Sequence, residues 1–110
     1  MTILSYYDTI VLKQVPRIIQ SFGDKDTEML FNRERVKTYS PELTRRARNK
    51  LLIIHAATTE GDLRIPPGNR FERLKGDKEG LCGIRINDQW RITFKWTNGN
   101  ACDVKITDYH

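Results

Sequence analysis

The sequence predicts an α+β domain in which helices pack on one face of a small antiparallel sheet. Two observations support this class. Residues 40–57 repeat their apolar positions with the spacing of a helix, whereas residues 70–107 alternate apolar and polar side chains with the two-residue period of strands. A chain of 110 residues is also the right size for one domain with one hydrophobic core.

The N-terminal part predicts an extension, then a strand and a short helix. Residues 1–17 stand apart from the rest, because Pro16 ends any helix there, and we expect them to be either a start codon placed too far upstream or a real extension of a domain covering residues 18–110. Residues 17–22 form a β-like run. Residues 24–31 are typical of a short helix, since acidic side chains near its start suit the helix dipole.

A second helix is predicted from Ser40 to about Ala57. Ser40 can cap it and Pro41 fits the first helical position. Its apolar face consists of Leu43, Ala47, Leu51 and Ile54. The opposite side carries Arg45, Arg46, Arg48, Asn49 and Lys50. This basic side is either a solvated surface or a binding face for RNA or for an acidic strand of a partner protein.

The remaining elements are a loop and a meander of three or four strands. The loop covers residues 61–69, which contain Pro66-Pro67-Gly68. A short strand ends near Leu74, residues 75–80 form a charged turn, and Asn98-Gly99 predicts a hairpin. The apolar face of the meander is formed by Cys82, Ile84, Ile86, Trp90, Ile92, Phe94, Trp96, Cys102, Val104 and Ile106. The other face is polar, as in sheets that are packed on one side only.

Charge and composition narrow the function classes. Nineteen Lys and Arg against 14 Asp and Glu give a net charge of +5, which suits a nucleic acid or an acidic protein as partner. Two cysteines without a C-x-x-C motif and two histidines do not have the spacing of a zinc site, so we expect no cofactor and two reduced, buried thiols. Without a signal peptide or an apolar run of roughly 20 residues, we expect a cytoplasmic protein without membrane contact.

The polar face of the meander carries the first candidate functional residues. Arg85, Arg91 and Lys95 lie on predicted strands, and Arg73, Lys75 and Lys78 precede them. A guanidinium held on a rigid strand is a good phosphate ligand, because its fork geometry is fixed. The alternative is that these cations only keep the sheet surface soluble.

The C-terminal tripeptide Asp108-Tyr109-His110 supplies the second set of candidates. It is either frayed or a group of side chains that can exchange protons. Metal-free RNA cleavage needs a base that takes the 2′-OH proton, cations that stabilise the charged phosphate, and an acid that protonates the leaving 5′-oxygen. The chain offers such groups, a match that permits this chemistry without proving it. His55, alone on a helix, is interpreted as structural.

Three segments of the sequence, in order, resemble the HigB-type toxins of the RelE/ParE-like superfamily. They are PPGNRFERLKGD at 66–77, GIRINDQWRI at 83–92 and DVKITDYH at 103–110. The resemblance runs from about Ile18 to the last residue.

The resemblance implies a RelE-like fold and ribosome-dependent endonucleolytic cleavage of mRNA. It implies a HigA-like helix-turn-helix antitoxin as partner, and contact with operator DNA only through that complex. The residues it associates with catalysis are Arg91, Asp108, Tyr109 and His110. Those expected to bind RNA and the ribosome are Arg73, Lys75, Lys78 and Arg85, with Lys95 on the same cationic face.

One departure from the family pattern concerns the proton-transfer groups. Some members carry a catalytic His just before the LKGD motif, where this chain has Glu72 and Arg73. This removes one candidate general base and leaves the acid and base roles open. The alternative functions are a ParE-like toxin that acts on gyrase, which needs no catalytic constellation, and an inactive module that only binds the antitoxin.

Overall fold

Four strands form one antiparallel sheet in the order β1-β2-β3-β4 in the computed structural model, which describes residues 19–74 and 80–108. The strands are β1 (Glu72–Arg73), β2 (Leu81–Arg85), β3 (Trp90–Thr97) and β4 (Asn100–Asp108). The helices are α1 (Lys25–Phe31), α2 (Pro41–Ala56), the short α3 (Glu60–Leu63) and a 3₁₀ turn at Pro67–Asn69. The α+β class is confirmed, whereas the predicted extension at 1–17 lies outside the described residues.

Both predicted helices are present, and the second begins at its predicted cap, Ser40. The carboxylate of Asp24 accepts the backbone N–H of Thr27 at 2.8 Å, and the hydroxyl of Ser40 accepts that of Leu43 at 3.1 Å. Helix α2 buries the apolar face that its spacing predicts, which consists of Leu43, Ala47, Leu51 and Ile54. This face packs on β3 and β4, and of the predicted basic side Arg45, Arg46 and Asn49 are exposed. Arg48 is half-buried, because its Nε donates to the carbonyl of Leu30 in α1 at 3.2 Å.

The described part of the N-terminal run, residues 19–22, lies beside β4. Ile19 forms an isolated parallel bridge with Ala101, and Phe22 forms another with Val104. The predicted strand is therefore present, within the described residues, as two bridges along the edge of the sheet rather than as a ladder. Buried Ile19 and half-buried Phe22 still join the core through this pairing.

The predicted loop at 61–69 instead contains two helical turns. Helix α3 begins after Thr59, whose hydroxyl accepts the backbone N–H of Asp62 at 3.3 Å. The Asp62 carboxylate accepts the backbone N–H of Thr58 at 2.9 Å, and this bond lowers the pKa of Asp62. The loop prediction was wrong because it relied on the Gly and Pro residues of this segment. It did not consider the capping box between Thr59 and Asp62, which stabilises the single turn of α3.

One face of the sheet packs on the helices, as the alternation predicts. Its buried side chains are Cys82, Ile84, Ile92, Phe94, Val104 and Ile106. The alternation fails in β4, where the register with β3 shifts next to Asp103, whose φ is +54°. Ala101 therefore faces the core and Cys102 is only half-buried, so the expectation of two buried thiols is confirmed for Cys82 alone.

No helix in the described ranges, 19–74 and 80–108, is both long enough and apolar enough to span a bilayer.

Candidate functional site

Two rows of paired residues cross the polar face of the sheet, which we call the outer face. Directly paired residues of antiparallel strands point to the same side. The first row consists of Arg85, Arg91 and Thr107. The second consists of Glu72, Gly83, Thr93 and Lys105. The row between them consists of the buried residues Ile84, Ile92 and Ile106, which belong to the opposite face. The pairing of β2 with β3 therefore brings Arg85 and Arg91 together, as the alternation predicts.

Among the described cations of the outer face, Arg91 is the least exposed. Its side chain is only 14% exposed, and its Nη1 donates a hydrogen bond to Oε1 of Glu72 at 3.0 Å. The side chain of Arg91 reaches β1 by passing over Gly83 of β2. A Cβ atom on Gly83 would lie 3.6 Å from Cδ of Arg91. Because Gly83 has no side chain, the aliphatic part of Arg91 lies close to the sheet and its guanidinium is held by three strands.

Arg85 lies beside Arg91 in the row but its guanidinium turns toward the β2–β3 turn. Its Nε donates to the carbonyl of Asn87 at 3.2 Å, and its Nη2 forms an ion pair with Asp88. The side chain is 29% exposed. Arg85 therefore connects the outer face with a second basic surface, the wall of a groove beside α2.

A groove of about 620 Å³, here the cationic groove, separates α2 from residues 68–70 and 85–88. The positive side chains on its wall are Arg45, Arg46, Lys50, Arg70 and Arg85. In the described part of the chain, Asp88 is the acidic residue on this wall. The predicted basic side of α2 and Arg85 thus meet at one site, which the sequence did not indicate.

Lys50 is held in place inside this groove. Its Nζ donates to the side-chain oxygen of Asn69, which is fully buried. The amide nitrogen of Asn69 in turn donates to the carbonyls of Leu63 and Ile65, both at 3.1 Å. Burial lowers the pKa of Lys50, and the charge of Arg46 adds to this effect.

The C-terminal candidates are described only as far as Asp108. Strand β4 continues to Asp108, which pairs with Trp90 and is exposed, so the strand extends beyond the core. The carboxylate of Asp108 accepts a hydrogen bond from Nε2 of Gln89 at 3.1 Å. Tyr109 and His110 lie outside the described residues, and their proposed roles stay predictions.

Arg73 points away from the other candidates. It pairs with buried Cys82, on the side of the sheet that faces the helices, and its guanidinium forms an ion pair with Glu60 of α3. The structure therefore does not bring Arg73 and Arg91 together on one face. Lys75 and Lys78 lie outside the described residues.

Lys95 shares the outer face but not the site. It is four residues further along β3 than Arg91, which places the two backbones about 13 Å apart. Its Nζ lies 3.6 Å from a carboxylate oxygen of Asp103, and both side chains are more than half exposed. The expected cationic surface is therefore concentrated at one end of β2 and β3.

The residue that the sequence interpretation missed is Glu72. Its carboxylate contacts Arg91 on the outer face and is 54% exposed. The sequence showed Glu72 only as the replacement of a family histidine. An exposed carboxylate in contact with a fixed guanidinium can accept a proton beside a bound anion.

Comparisons with known proteins indicate the family of this chain. A family model described as RelE-like toxin of type II toxin-antitoxin system HigB matches residues 20–110. Toxin HigB-1 of Vibrio cholerae serotype O1 is 44% identical over 86 residues, which cover 77% of this chain and 90% of that protein. Endoribonuclease HigB of Proteus vulgaris is 33% identical over 93 residues, 84% of this chain and all of that protein.

A solved structure with a similar fold is that of a YafQ mutant from E. coli. It superimposes with a TM-score of 0.55 at 16% identity and covers 86% of this chain and 94% of its own. At this low identity the likeness supports the fold alone.

Proposed function

This chain belongs to the RelE-like HigB toxins of type II toxin–antitoxin systems, and we propose that it is a metal-independent endoribonuclease acting on ribosome-bound mRNA. Cleavage of mRNA in the cytoplasm would block translation and arrest growth. The name of the Proteus vulgaris relative supports the reaction class. The observation that carries the proposal is the guanidinium of Arg91, fixed across three strands on an otherwise polar sheet face.

Arg91 acts on the charge that develops at the scissile phosphate. As the ribose 2′-oxygen attacks phosphorus, negative charge grows on the non-bridging oxygens. A guanidinium that is already held in position stabilises this charge without reorganisation. Arg85 is adjacent to Arg91 in the row, but its guanidinium lies at the cationic groove, so it assists by binding a neighbouring phosphate of the RNA.

The C-terminal residues supply proton transfer in this proposal. Asp108 is the last residue of β4 and pairs with Trp90, next to Arg91, and Tyr109 and His110 follow it in the sequence. The imidazolium of His110 protonates the leaving 5′-oxygen, while Asp108 and Tyr109 orient the reacting groups.

RNA and ribosome binding falls to the remaining basic residues. Lys75 and Lys78 of the charged turn bind phosphates of the RNA, whereas Arg73 and Lys95, which lie away from Arg91, contact RNA or the ribosome outside the site. The cationic groove extends this surface onto α2. The domain is small, so we expect it to cut free RNA weakly and to depend on the ribosome for positioning its substrate.

An antitoxin completes the proposal. Type II toxins pair with an antitoxin protein, and we propose a HigA-like helix-turn-helix protein as this partner. Operator DNA is then contacted only through the complex. A small helix-turn-helix gene next to the toxin gene is the expected observation.

The test follows mRNA 5′ ends after induction of the toxin. We expect new ends at translated positions with the native chain and none with Arg91→Ala or His110→Ala. In a reconstituted assay, a 2′-deoxy nucleotide at the cut site should prevent cleavage. Intact transcripts during growth arrest would contradict the proposal. If DNA damage accompanied that arrest, it would indicate the alternative function, a ParE-like toxin that acts on gyrase. Toxicity that survives both substitutions would rule out catalysis by this site.

A further inference from the structure

Helix α2 borders a second groove that the proposed function has not used. This groove, here the rear groove, has a volume of about 300 Å³ and lies between α2 and the segment that joins α1 to α2. The α2 residues on its wall are Pro41, Thr44 and Arg48. At 3.6 residues per turn they lie on a different side of the helix from the residues that line the cationic groove. The two grooves are therefore separate surfaces.

Part of the rear groove is apolar and supported by the core. Val36 is buried, and half-buried Tyr39 packs its ring edge-on against that of Trp90 at a centroid distance of 5.9 Å. Trp90 in turn packs on the hydrophobic core. The backbone N–H of Tyr39 donates to the carbonyl of Val36 at 3.1 Å, which holds the two residues together. A preformed apolar surface of this kind suits an apolar side chain of a ligand.

Two of the arginines on the wall of the rear groove lack an acidic partner. Arg33 and Arg48 form no ion pair with a carboxylate of residues 19–74 and 80–108. The arginines that do pair with a described carboxylate are Arg46, Arg64, Arg73, Arg85 and Arg91. Nε of Arg48 donates to the carbonyl of Leu30 at 3.2 Å, so its guanidinium is held in place while its charge stays available for an anionic ligand.

Arg33 occupies a backbone position that does not favour arginine. It follows Asn32, the C-cap of α1, and its φ is +67°. The backbone N–H of Arg33 donates to the carbonyl of Leu30 at 3.1 Å, and that of Glu34 donates to the carbonyl of Met29 at 2.8 Å. These are the hydrogen bonds of a helix end at which glycine is usual. The backbone therefore does not require an arginine here, and its side chain can be removed without loss of the helix end.

We propose that the rear groove binds an acidic segment of the antitoxin, with its carboxylates at the two arginines and one apolar side chain against Val36 and Tyr39. The inference rests on the proposed antitoxin partner. A guanidinium can form two parallel hydrogen bonds with a carboxylate, so Arg33 and Arg48 can each bind one acidic side chain. The net charge of +5 of the toxin also favours an acidic partner.

The charges of the rear groove favour an acidic peptide over RNA. Each nucleotide of RNA carries a charge, so an RNA surface presents cations along its length, as the cationic groove does. The wall of the rear groove also carries Glu34. At its apolar part, the carboxylates of Asp24 and Asp26 act on Tyr39 and, after burial, contribute to its raised pKa. A segment that combines acidic and apolar side chains matches this division better than a phosphodiester chain does.

The first test measures the affinity of the toxin for the antitoxin encoded beside its gene, by isothermal titration calorimetry without ribosomes or mRNA. Arg33→Gly should weaken binding by about tenfold, because it removes one charge-assisted contact. Its melting temperature should stay at or above native, because glycine suits the positive φ. Glu34→Gln should bind more tightly than native, since it removes a charge that repels carboxylates. Native affinity in Arg33→Gly, or weaker binding by Glu34→Gln, would overturn the inference.

The second test compares the same substitution in the two grooves. Arg70 also has a positive φ, of +45°, and lines the cationic groove. We expect Arg70→Gly to weaken ribosome binding and Arg33→Gly to weaken antitoxin binding, each without the other effect. Weaker antitoxin binding by Arg70→Gly alone would place the antitoxin in the cationic groove. Weaker ribosome binding by Arg33→Gly with native antitoxin affinity would show that the rear groove binds RNA. Either result would contradict the inference.

The third test fills the rear groove without changing its charge. Thr44 is half-buried on its wall, so Thr44→Tyr should weaken antitoxin binding, whereas Thr44→Ser should bind as native. Overlapping synthetic peptides that cover the antitoxin sequence identify the segment, and we expect an acidic peptide to bind the native toxin but not Thr44→Tyr. If the native toxin binds no antitoxin, the proposed partnership fails. Equal antitoxin affinities of the native toxin, Arg33→Gly and Thr44→Tyr contradict only the role of the rear groove.

Discussion

The guanidinium of Arg91 in β3 lies 3.0 Å from the carboxylate of Glu72 in β1, and the two side chains meet above Gly83 of the strand between them. An ion pair with an exposed partner contributes little to folding, typically between 0 and about 1 kcal/mol. The main effect of the ion pair is to fix the positions of the two side chains. It holds a cation and a proton acceptor in contact on the face proposed to bind RNA.

Substitution of Arg91 tests the role of its planar guanidinium. We expect Arg91→Ala to lower the single-turnover rate by about 10²–10³-fold, because it removes a preorganised donor to the reacting phosphate. Arg91→Lys should remain well below native, since an ammonium cannot form the paired hydrogen bonds of a guanidinium. Cleavage on programmed ribosomes measures both, with exposed Arg35→Ala as control. Native rates in Arg91→Ala would exclude the site.

The cationic groove predicts a salt-dependent contribution to ribosome binding. Arg45→Ala combined with Arg46→Ala should lower the slope of log affinity against log salt by about 0.7–0.9 for each phosphate that the variant no longer neutralises. The double variant Arg35→Ala and Lys37→Ala removes the same charge from exposed positions outside the groove. Binding titrations at several salt concentrations compare the two. Equal slopes would show that the groove does not contact RNA.

Thr27 of α1 predicts a specific decrease in stability. It is fully buried, and its hydroxyl accepts the backbone N–H of Ile106 in β4 at 3.0 Å. Thr27→Val keeps the shape of the side chain but leaves this N–H unpaired, so we expect the free energy of unfolding to fall by about 1–3 kcal/mol. Denaturant titration measures the change, and exposed Thr97→Val should stay within about 0.5 kcal/mol of native.

Tyr39 predicts a pH dependence of stability in alkali. Burial, with the carboxylates of Asp24 and Asp26, raises its pKa to about 12, from 10.0 for a free tyrosine. Folding therefore favours the neutral phenol, and its contribution is complete below pH 10 and is lost as the pH rises to about 12. We expect Tyr39→Phe to lose less stability than native over this interval. Denaturation midpoints that fall in parallel would contradict this.

Most of the fold was predictable from local spacing. The four-residue spacing in α2 and the alternation in β2 and β3 each reflect contact of one face with the core. Such spacings involve residues close together in the sequence, so the elements can be predicted from it. The prediction failed at Cys102 and at 61–69. A register shift and a capped single turn depend on individual hydrogen bonds, which periodicity does not record.

The candidate site was predictable only in part. Alternation alone placed Arg85 and Arg91 on one face, and the structure pairs them directly. Alternation also placed Lys95 on the outer face. It could not show that Lys95 pairs with Asp103, four residues along β3 from Arg91. Arg73 was assigned to the same cationic surface, whereas the register with Cys82 turns it toward Glu60.

The amino-acid order was enough to establish the α+β class, the basic character and the family, because each depends on residue types and their spacing along the chain. The contact of Glu72 with Arg91 joins residues 19 positions apart, and the cationic groove joins α2 to the turn after β2. Such contacts arise only when strand register and helix packing are settled together, since both depend on how the whole core is filled.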